Sequence, residues 1–279
     1  MKSSLSPGLY IVATPIGNLG DITARAADVL RGVDRILAED KRVTAKLLAH
    51  LGATAPMSVY HDHSDAALRD RLVSEMAGQS IALVSDAGTP LISDPGYKLV
   101  RAAREAGIDV HTLPGACAAV AALTLAGLPT DRFLFLGFLP AKAKARSDAI
   151  ADVASIRASL VLYESGPRTA DALAALAEGL GDRDAAVVRE ISKLHEETVT
   201  GTLGDLAQRF ASSPPRGEIV IVVGPPAERA AASDADLDEA LRDALASMTP
   251  SRAAAAVSTS LNIPRKRAYA RALEIGQDG

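Results

Sequence analysis

Ser85-Asp86-Ala87-Gly88-Thr89-Pro90-Leu91-Ile92-Ser93-Asp94-Pro95-Gly96 is the stretch from which the rest of the chain is read. An apolar run, Ile81-Ala82-Leu83-Val84, leads into it, and a helical pattern over residues 97–106 leads out. It is therefore a long loop at the carboxyl end of a buried strand, where open α/β sheets bind their ligands. Its twelve residues include two glycines, two prolines and two aspartates. Glycine lets a ligand approach the backbone and proline stiffens the turn. A loop this long and this stiff is more often functional than connective.

Upstream, Leu9-Tyr10-Ile11-Val12-Ala13 is a near-continuous apolar run, as expected of a parallel strand covered on both faces. It ends in Thr14-Pro15-Ile16-Gly17-Asn18-Leu19-Gly20-Asp21. That turn lacks both the three-glycine dinucleotide fingerprint and the Lys-Ser/Thr of a P-loop, which excludes both phosphate motifs. Asp21 is expected to cap a helix over residues 22–30. Arg35-Ile36-Leu37-Ala38 reads as a second strand, followed by Glu39-Asp40-Lys41-Arg42 and a helix to Leu51. Two carboxylates at a strand end suit acid–base chemistry, and they equally suit a helix N-terminus, whose dipole favours acids. Ser58-Val59-Tyr60 is a short strand before His61-Asp62-His63-Ser64-Asp65. The two histidines have no third ligand nearby in sequence, so a helix cap at Ser64 or Asp65 is expected rather than a metal site.

Downstream, Val110-His111-Thr112-Leu113 leads into Pro114-Gly115-Ala116-Cys117-Ala118 and an alanine-rich helix to Ala126. A Pro-Gly turn entering a helix of small residues exposes N–H donors and permits close packing on a ligand. Cys117 has no base beside it and is expected to be a small buried residue rather than a nucleophile. Gly127-Leu128-Pro129-Thr130 marks a boundary after which the α/β alternation restarts. Residues 133–138 form a strand, and Pro140-Ala141-Lys142-Ala143-Lys144-Ala145-Arg146 reads as an alternating basic loop suited to phosphate. Later strands end in Glu164-Ser165-Gly166-Pro167-Arg168 and Arg189-Glu190-Ile191-Ser192-Lys193. Residues 196–202 look like an antiparallel strand, and Gly217-Glu218 precedes the last strand, over residues 219–223. The expected domains are residues 8–129, residues 130–226 and a helical appendage over residues 234–279.

Composition sets further bounds. Hydrophobic residues make up 48% and aromatics 3%, so the cores are built of Ala, Val, Leu and Ile. A net charge of −4 gives no global attraction to a polyanion, so a nucleic-acid partner must be held by local basic patches. The single cysteine, Cys117, excludes an internal disulfide and a cysteine-rich zinc site. Residues 1–7 lack the apolar core of a signal peptide, and no apolar run approaches membrane-spanning length. A soluble cytoplasmic protein is expected.

The tail changes sign. Residues 227–248 hold six acids and two arginines, with Leu237, Leu241, Leu245 and Met248 at helical spacing. Residues 250–279 hold five basic side chains (Arg252, Arg265, Lys266, Arg267, Arg271) against two acids. Thr249-Pro250 opens one helix, and Asn262-Ile263-Pro264 turns the chain into another. Two short helices joined by a tight turn, the second basic, have the pattern of a helix-turn-helix module whose last helix reaches a polyanion.

Val12-Ala13-Thr14-Pro15-Ile16-Gly17-Asn18-Leu19-Gly20-Asp21-Ile22-Thr23, Ala38-Glu39-Asp40, His61-Asp62-His63, the loop over residues 85–96, Pro114-Gly115, Tyr163-Glu164-Ser165, Arg189-Glu190 and Gly217-Glu218 occur in this order. Together they resemble the ribosomal RNA small-subunit methyltransferase I family, a branch of the tetrapyrrole-methylase superfamily. The resemblance covers residues 8–226, and the tail resembles that family's helix-turn-helix domain. Lys41 stands where the family usually has Thr, and Pro167 where it usually has His.

The resemblance implies a two-domain α/β fold with a cofactor cleft between the domains, and a small C-terminal helical domain. It implies a homodimeric enzyme that uses S-adenosylmethionine to methylate a cytidine 2′-hydroxyl in small-subunit (16S) ribosomal RNA, with no metal. The implied cofactor contacts are Pro15, Gly88, Thr89, Pro90, Leu91, Ile92, Ala116 and Cys117 from the first domain, and Tyr163, Gly217, Glu218 and Ile219 from the second. Lys142, Lys144, Arg146 and Arg168, with Arg265, Lys266 and Arg267 in the tail, are candidate RNA contacts. A ribose hydroxyl needs a proton acceptor, and the candidates are Glu39, Asp40, Asp94, Glu164 and Glu190, among which the sequence does not choose. A tetrapyrrole-precursor methyltransferase and a non-catalytic cofactor-binding protein are the competing expectations. The basic segments argue against the first, and the charged strand ends argue against the second.

Overall fold

The computed structural model describes residues 5–62, 64–227, 233–261 and 263–277. His63 and Asn262, both singled out above, and the linker residues 228–232 lie outside the described residues. Residues 1–226 form one compact unit and residues 227–279 another.

The first unit contains two five-stranded sheets. The first sheet is wholly parallel, in the order β3-β2-β4-β1-β5: β1 (Gly8–Val12), β2 (Arg35–Ala38), β3 (Met57–Val59), β4 (Ser80–Val84) and β5 (Val110–Leu113). β1 lies between β4 and β5, with Leu9 in register with both Ile81 and Val110. The two-residue period of a strand splits each apolar run between two cores. Tyr10, Val12, Ile36, Ala38, Ala82 and Val84 pack against helices α1 (Ala24–Gly32) and α2 (Lys41–Leu51). Leu9, Ile11, Leu37, Ile81 and Leu83 face the other way, toward α3 (Ala66–Met76) and α4 (Tyr97–Glu105). Each fully buried aliphatic side chain contributes about 1.5–3 kcal/mol.

Helix α5 (Ala118–Leu125) follows the first sheet in sequence but covers the second. Ala119, Ala122 and Leu123 pack on Val161, Ala186, Val188, Val220 and Val222. That sheet runs β6-β7-β10-β8-β9: β6 (Phe133–Phe138), β7 (Ser159–Ser165), β8 (Asp184–Arg189), β9 (Glu197–Thr202) and β10 (Glu218–Val223). β6 and β7 are parallel and the other pairs antiparallel, including β8 with β9. Its opposite face carries α6 (Ala143–Val153), α7 (Thr169–Leu180) and α8 (Leu203–Ser212), over Leu160, Leu162, Val187 and Ile221.

Two local expectations are corrected. Asp21 does not cap α1: it ends a single 3-10 turn, Leu19–Asp21, and Thr23 is the cap, accepting from the Ala26 amide at 3.2 Å. The basic segment is not a loop, because α6 begins at Ala143 and the alanines there are strong helix formers. At the His-Asp-His motif, Asp65 caps α3 and Ser64 accepts from the His61 amide.

The second unit packs α9 (Asp234–Leu245), α10 (Pro250–Leu261) and α11 (Arg265–Gln277) around Leu237, Leu241, Ala254, Val257, Ile263, Ala268 and Ala272. A capping box of Ser233 and Asp236 starts α9. The chain cut after Pro226 is expected to melt in one cooperative transition, within about 4 °C of the same transition in the full chain, the shift that about 1 kcal/mol causes at this size. Circular dichroism on the truncated protein checks this; absence of a transition would show that the helices complete the core.

Candidate active site

The carboxyl ends of the parallel strands gather the loops singled out above at one end of the first sheet. Loop 85–96 is fastened there at several points. The Thr14 amide donates to the Gly88 carbonyl at 2.8 Å, and the Gly88 amide donates back to the Thr14 carbonyl at 3.1 Å. Thr89 Oγ1 donates to the Ala116 carbonyl at 2.9 Å, and the Gly96 amide donates to Asp62 Oδ1 at 2.9 Å. Asp62 thus ties the His-Asp-His segment to the loop. Gly88 has φ +82°, and both its backbone groups are engaged with Thr14. Its role is to permit this turn.

The second sheet brings Tyr163-Glu164-Ser165, the segment 190–193 and Gly217-Glu218 opposite this loop. Between them lies a cavity of about 390 Å³, within the range of roughly 300–1,000 Å³ typical of small-molecule sites. Among the described residues, the non-glycine positions with positive φ are Leu91, Ser93, Glu190 and Ser192, all on the two loops that face each other here. Such conformations cost about 1–3 kcal/mol each and cluster at functional sites. Gly217 is favoured by its backbone: its φ is +89°, and a Cβ would also displace the Glu190 carboxylate, whose Oε1 would lie 2.1 Å away. Ser192 Oγ donates to Asp21 Oδ2, joining the two loop systems.

The cavity has an apolar wall of Ile16, Ile92, Ala118, Ile191 and Ile219, and an aromatic corner. A bulge between Phe135 and Gly137 sets Phe138 in register with Tyr163, and the two rings meet edge to face at 5.7 Å. Tyr163 Oη accepts from the Ala119 amide at 3.2 Å. Burial first, and Cys117 second, push the phenol up to about 12. The rest of the rim is acidic. Burial, then Asp86, raises Glu39. Burial pushes Asp94 up to about 6; the Ser85 hydroxyl works against this, and Glu39 and Asp86 add to it. Glu39, Asp86 and Asp94 have no ion pair among the described residues.

The acids from the second sheet are held differently. Glu164 is buried, accepts from the Ser165 amide at 2.8 Å and lies 3.3 Å from Arg168. Lys193 Nζ lies 3.2 Å from both Glu190 and Glu218; burial lowers the lysine, and the two carboxylates more than offset it.

Of the proton-acceptor candidates, Glu39, Asp94, Glu164 and Glu190 line the cavity. Asp40 does not: it caps α2, and its contacts to Arg42 hold it down at about 2. Of the cofactor candidates, Gly88, Thr89, Ile92, Cys117, Tyr163, Gly217, Glu218 and Ile219 line the cavity. Pro15 borders a neighbouring cavity, Ala116 gives its carbonyl to Thr89, Leu91 packs into the core below, and Pro90 is buried. Sequence reasoning missed Asp86 and Phe138. The first lay inside the quoted loop, and the second was signalled only by Gly137, whose φ of +64° makes the bulge.

The basic candidates are dispersed. Lys142 is exposed at the start of α6, Lys144 pairs with Asp148 at 3.3 Å, and Arg146 Nε is buried without a partner. Arg168 donates to the Leu139 carbonyl at 2.8 Å besides meeting Glu164. In the helical unit Arg267 pairs with Asp234 at 2.8 Å and Arg271 with Asp238 at 2.5 Å, so much of the basic charge of α11 is met by α9. Arg265 and Lys266 have no ion pair among the described residues.

Residues 8–207 match the family model for tetrapyrrole (corrin/porphyrin) methylases, and residues 231–276 match the RsmI C-terminal HTH domain. The chain is 55% identical over 271 residues to the ribosomal RNA small subunit methyltransferase I of Erythrobacter litoralis, covering 97% of this chain and 96% of that protein. It is 45% identical to the protein of the same name from Mesorhizobium japonicum, covering 97% and 93%. Among solved structures, uroporphyrin-III C-methyltransferase from Thermus thermophilus superposes with a TM-score of 0.56 at 23% identity, covering 78% of this chain and 94% of that one. The last likeness speaks for the fold alone.

Asp94 titrates higher in the folded protein, at about 6, than its ordinary 3.8, so the folded state holds more protons between these values and loses stability as pH rises through them. Asp94→Asn removes this penalty. The melting temperature of the variant relative to the parent is expected to rise from pH 4 to pH 7; a pH-independent difference would show that Asp94 titrates normally.

Proposed function

The chain belongs to the ribosomal RNA small subunit methyltransferase I family and is a small-subunit ribosomal RNA methyltransferase; we propose that it takes its methyl group from S-adenosylmethionine held in the cleft between the two sheets and delivers it to a cytidine 2′-hydroxyl. The observation that carries this reading is the unneutralised set Glu39, Asp86 and Asp94 facing an apolar and aromatic wall. S-adenosylmethionine carries a sulfonium, an ammonium and a carboxylate beside a flat purine, and the acids suit its two cationic groups while the apolar and aromatic wall suits the purine. When bound, that cofactor supplies a methyl group already activated by its positive sulfur.

The chain's own residues do the remainder. The Tyr163 ring, Ile92 and Ile219 offer faces to an apolar ligand and exclude water. Loop 85–96, fastened to Thr14 and Ala116, holds its geometry before anything binds, and alignment of this kind is worth up to roughly 7–11 kcal/mol. Asp94 is the favoured proton acceptor for the ribose hydroxyl: it has no cation beside it, and its raised pKa lies near the working pH, where a base is most effective. Glu164 and Glu190, each beside a cation, hold the second sheet's half of the cleft in place.

We also propose a cytoplasmic homodimer. β6 is an edge strand with Phe133 exposed, and Val120 and Leu125 are exposed on α5, which lies on the same sheet. Exposed edges and apolar patches are characteristic of interfaces. Phe133→Glu is expected to shift the sedimentation coefficient from dimer to monomer; an unchanged value would exclude β6 from the interface.

Incubation with methyl-labelled S-adenosylmethionine, offering small ribosomal subunits and a tetrapyrrole mixture separately, tests the function. Label is expected only in the RNA, in an alkali-resistant dinucleotide, because a 2′-O-methyl group blocks cleavage of the adjacent phosphodiester. Label in the tetrapyrroles would overturn the reading. Asp94→Asn is expected to lower kcat by about 10²-fold or more. Gly217→Ala, which drives a Cβ into Glu190, is expected to weaken cofactor binding about tenfold in calorimetry; unchanged affinity would remove residues 217–219 from the cofactor site.

A further inference from the structure

Beside the cleft, and sharing Ile16, Asp86, Ala87 and Glu218 with it, lies a second cavity of about 340 Å³. The loop after β1, one face of α2 and the stem of Lys193 enclose it. Its chemistry differs from that of the cleft in two respects. Thr44 is only 4% exposed, lines this cavity, and its Oγ1 is buried without a hydrogen-bond partner. An unsatisfied buried hydroxyl costs about 1–3 kcal/mol, so its retention here points to a ligand atom that completes it. The cavity is also lined by two lysines, Lys46 and Lys193, where the cleft has none among the described residues; the Lys193 ammonium is held by Glu190 and Glu218, and Asp86 and Glu218 border both cavities. Lys46 is exposed and has no ion pair among the described residues. Gly17 leaves room for the Lys193 stem to cross: a Cβ there would lie 2.4 Å from Lys193 Cε. Leu19 and Val43, both exposed apolar side chains, also line the cavity.

A ligand matching these groups carries an anionic group, a hydroxyl and a flat apolar face. We propose that the second cavity seats the nucleotide to be methylated, with phosphate at Lys46, sugar toward Thr44 and base against Leu19 and Val43. This rests on the RNA-methyltransferase reading. The wall of Ile16, Asp86, Ala87 and Glu218 common to both cavities then sets the nucleotide beside the cofactor, and Lys46, which has no ion pair among the described residues, holds its phosphate.

Full-length Lys46→Glu, Thr44→Val and Thr44→Ser variants test this, with small ribosomal subunits as the RNA probe. Lys46→Glu changes an exposed residue and leaves the core untouched. It is expected to weaken subunit binding about tenfold and to reduce the slope of log affinity against log salt by about one, the signature of one lost phosphate contact. Thr44→Val is expected to raise KM for subunits about fivefold, as loss of one hydrogen bond of about 1 kcal/mol would, and Thr44→Ser to restore it. S-adenosylmethionine affinity by calorimetry stays at the parent value in all three. Parental KM and salt slope in Lys46→Glu and Thr44→Val would overturn the assignment, and so would a fall in cofactor affinity in both, which would place the cavity within the cofactor site. A parent enzyme that labels no RNA would instead overturn the reading on which it rests.

Discussion

Two backbone hydrogen bonds between Thr14 and Gly88 hold the functional edge of the molecule together. Thr14 lies two residues beyond the end of β1, and Gly88 sits in the loop after β4, the central strand of the parallel sheet. Clasping the two turns fixes Ile16, Asp86 and Ala87, the wall shared by both cavities. The clasp needs a residue at 88 that accepts φ +82° and leaves Ile16 in place; a Cβ would come within 3.3 Å of Ile16 Cγ2. Gly88, which lines the cavity, is also the pin between two loops, and the side chains these loops carry build the surface around it.

Charge is distributed by sheet. Acids from the second sheet have cations of their own: Arg168 for Glu164, Lys193 for Glu190 and Glu218, Arg189 for Glu197. Glu39, Asp86 and Asp94 at the first sheet's end have none among the described residues, and burial, more than their mutual repulsion, raises Glu39 and Asp94. The helical unit repeats the logic, with Asp234 and Asp238 satisfying Arg267 and Arg271. A chain with a net charge of −4 can therefore face a polyanion only through the cations left over, such as Lys46, Lys142, Arg265 and Lys266. Exposed pairs are individually weak, at about 0–1 kcal/mol, so an RNA phosphate could compete for Arg267 as well.

The strands were legible because a parallel strand buried on both faces is an unbroken apolar run, and the organising loop because turn residues are concentrated there. Four of the five candidate bases fell in the cavity for a simple reason: acids at strand ends point where strand ends converge. Asp40 lies outside the cavity because the chain turns at that residue into α2, and capping engages its side chain, whereas Glu39 still lies at the strand's end. The helix start at Thr23 was hidden by a 3-10 turn that shifts it downstream of Asp21. The bulge that aims Phe138, the positive φ at Leu91, Ser93, Glu190 and Ser192, and the orphaned Thr44 hydroxyl are tertiary facts. No local pattern encodes them.

Helix α5 leaves the first sheet in sequence and rests on the second in space. During synthesis, Ala119, Ala122 and Leu123 emerge about 100 residues before Val220 and Val222, the last part of their packing surface, which at about 5–20 residues per second means a wait of several seconds. Until then an apolar helix has nowhere to dock, and the first sheet alone is an unfinished body with a greasy tail. The two sheets are thus committed to each other as one folding event, and an arrest or premature stop between residues 130 and 218 yields a product that sticks to itself or to a chaperone rather than a half-working enzyme.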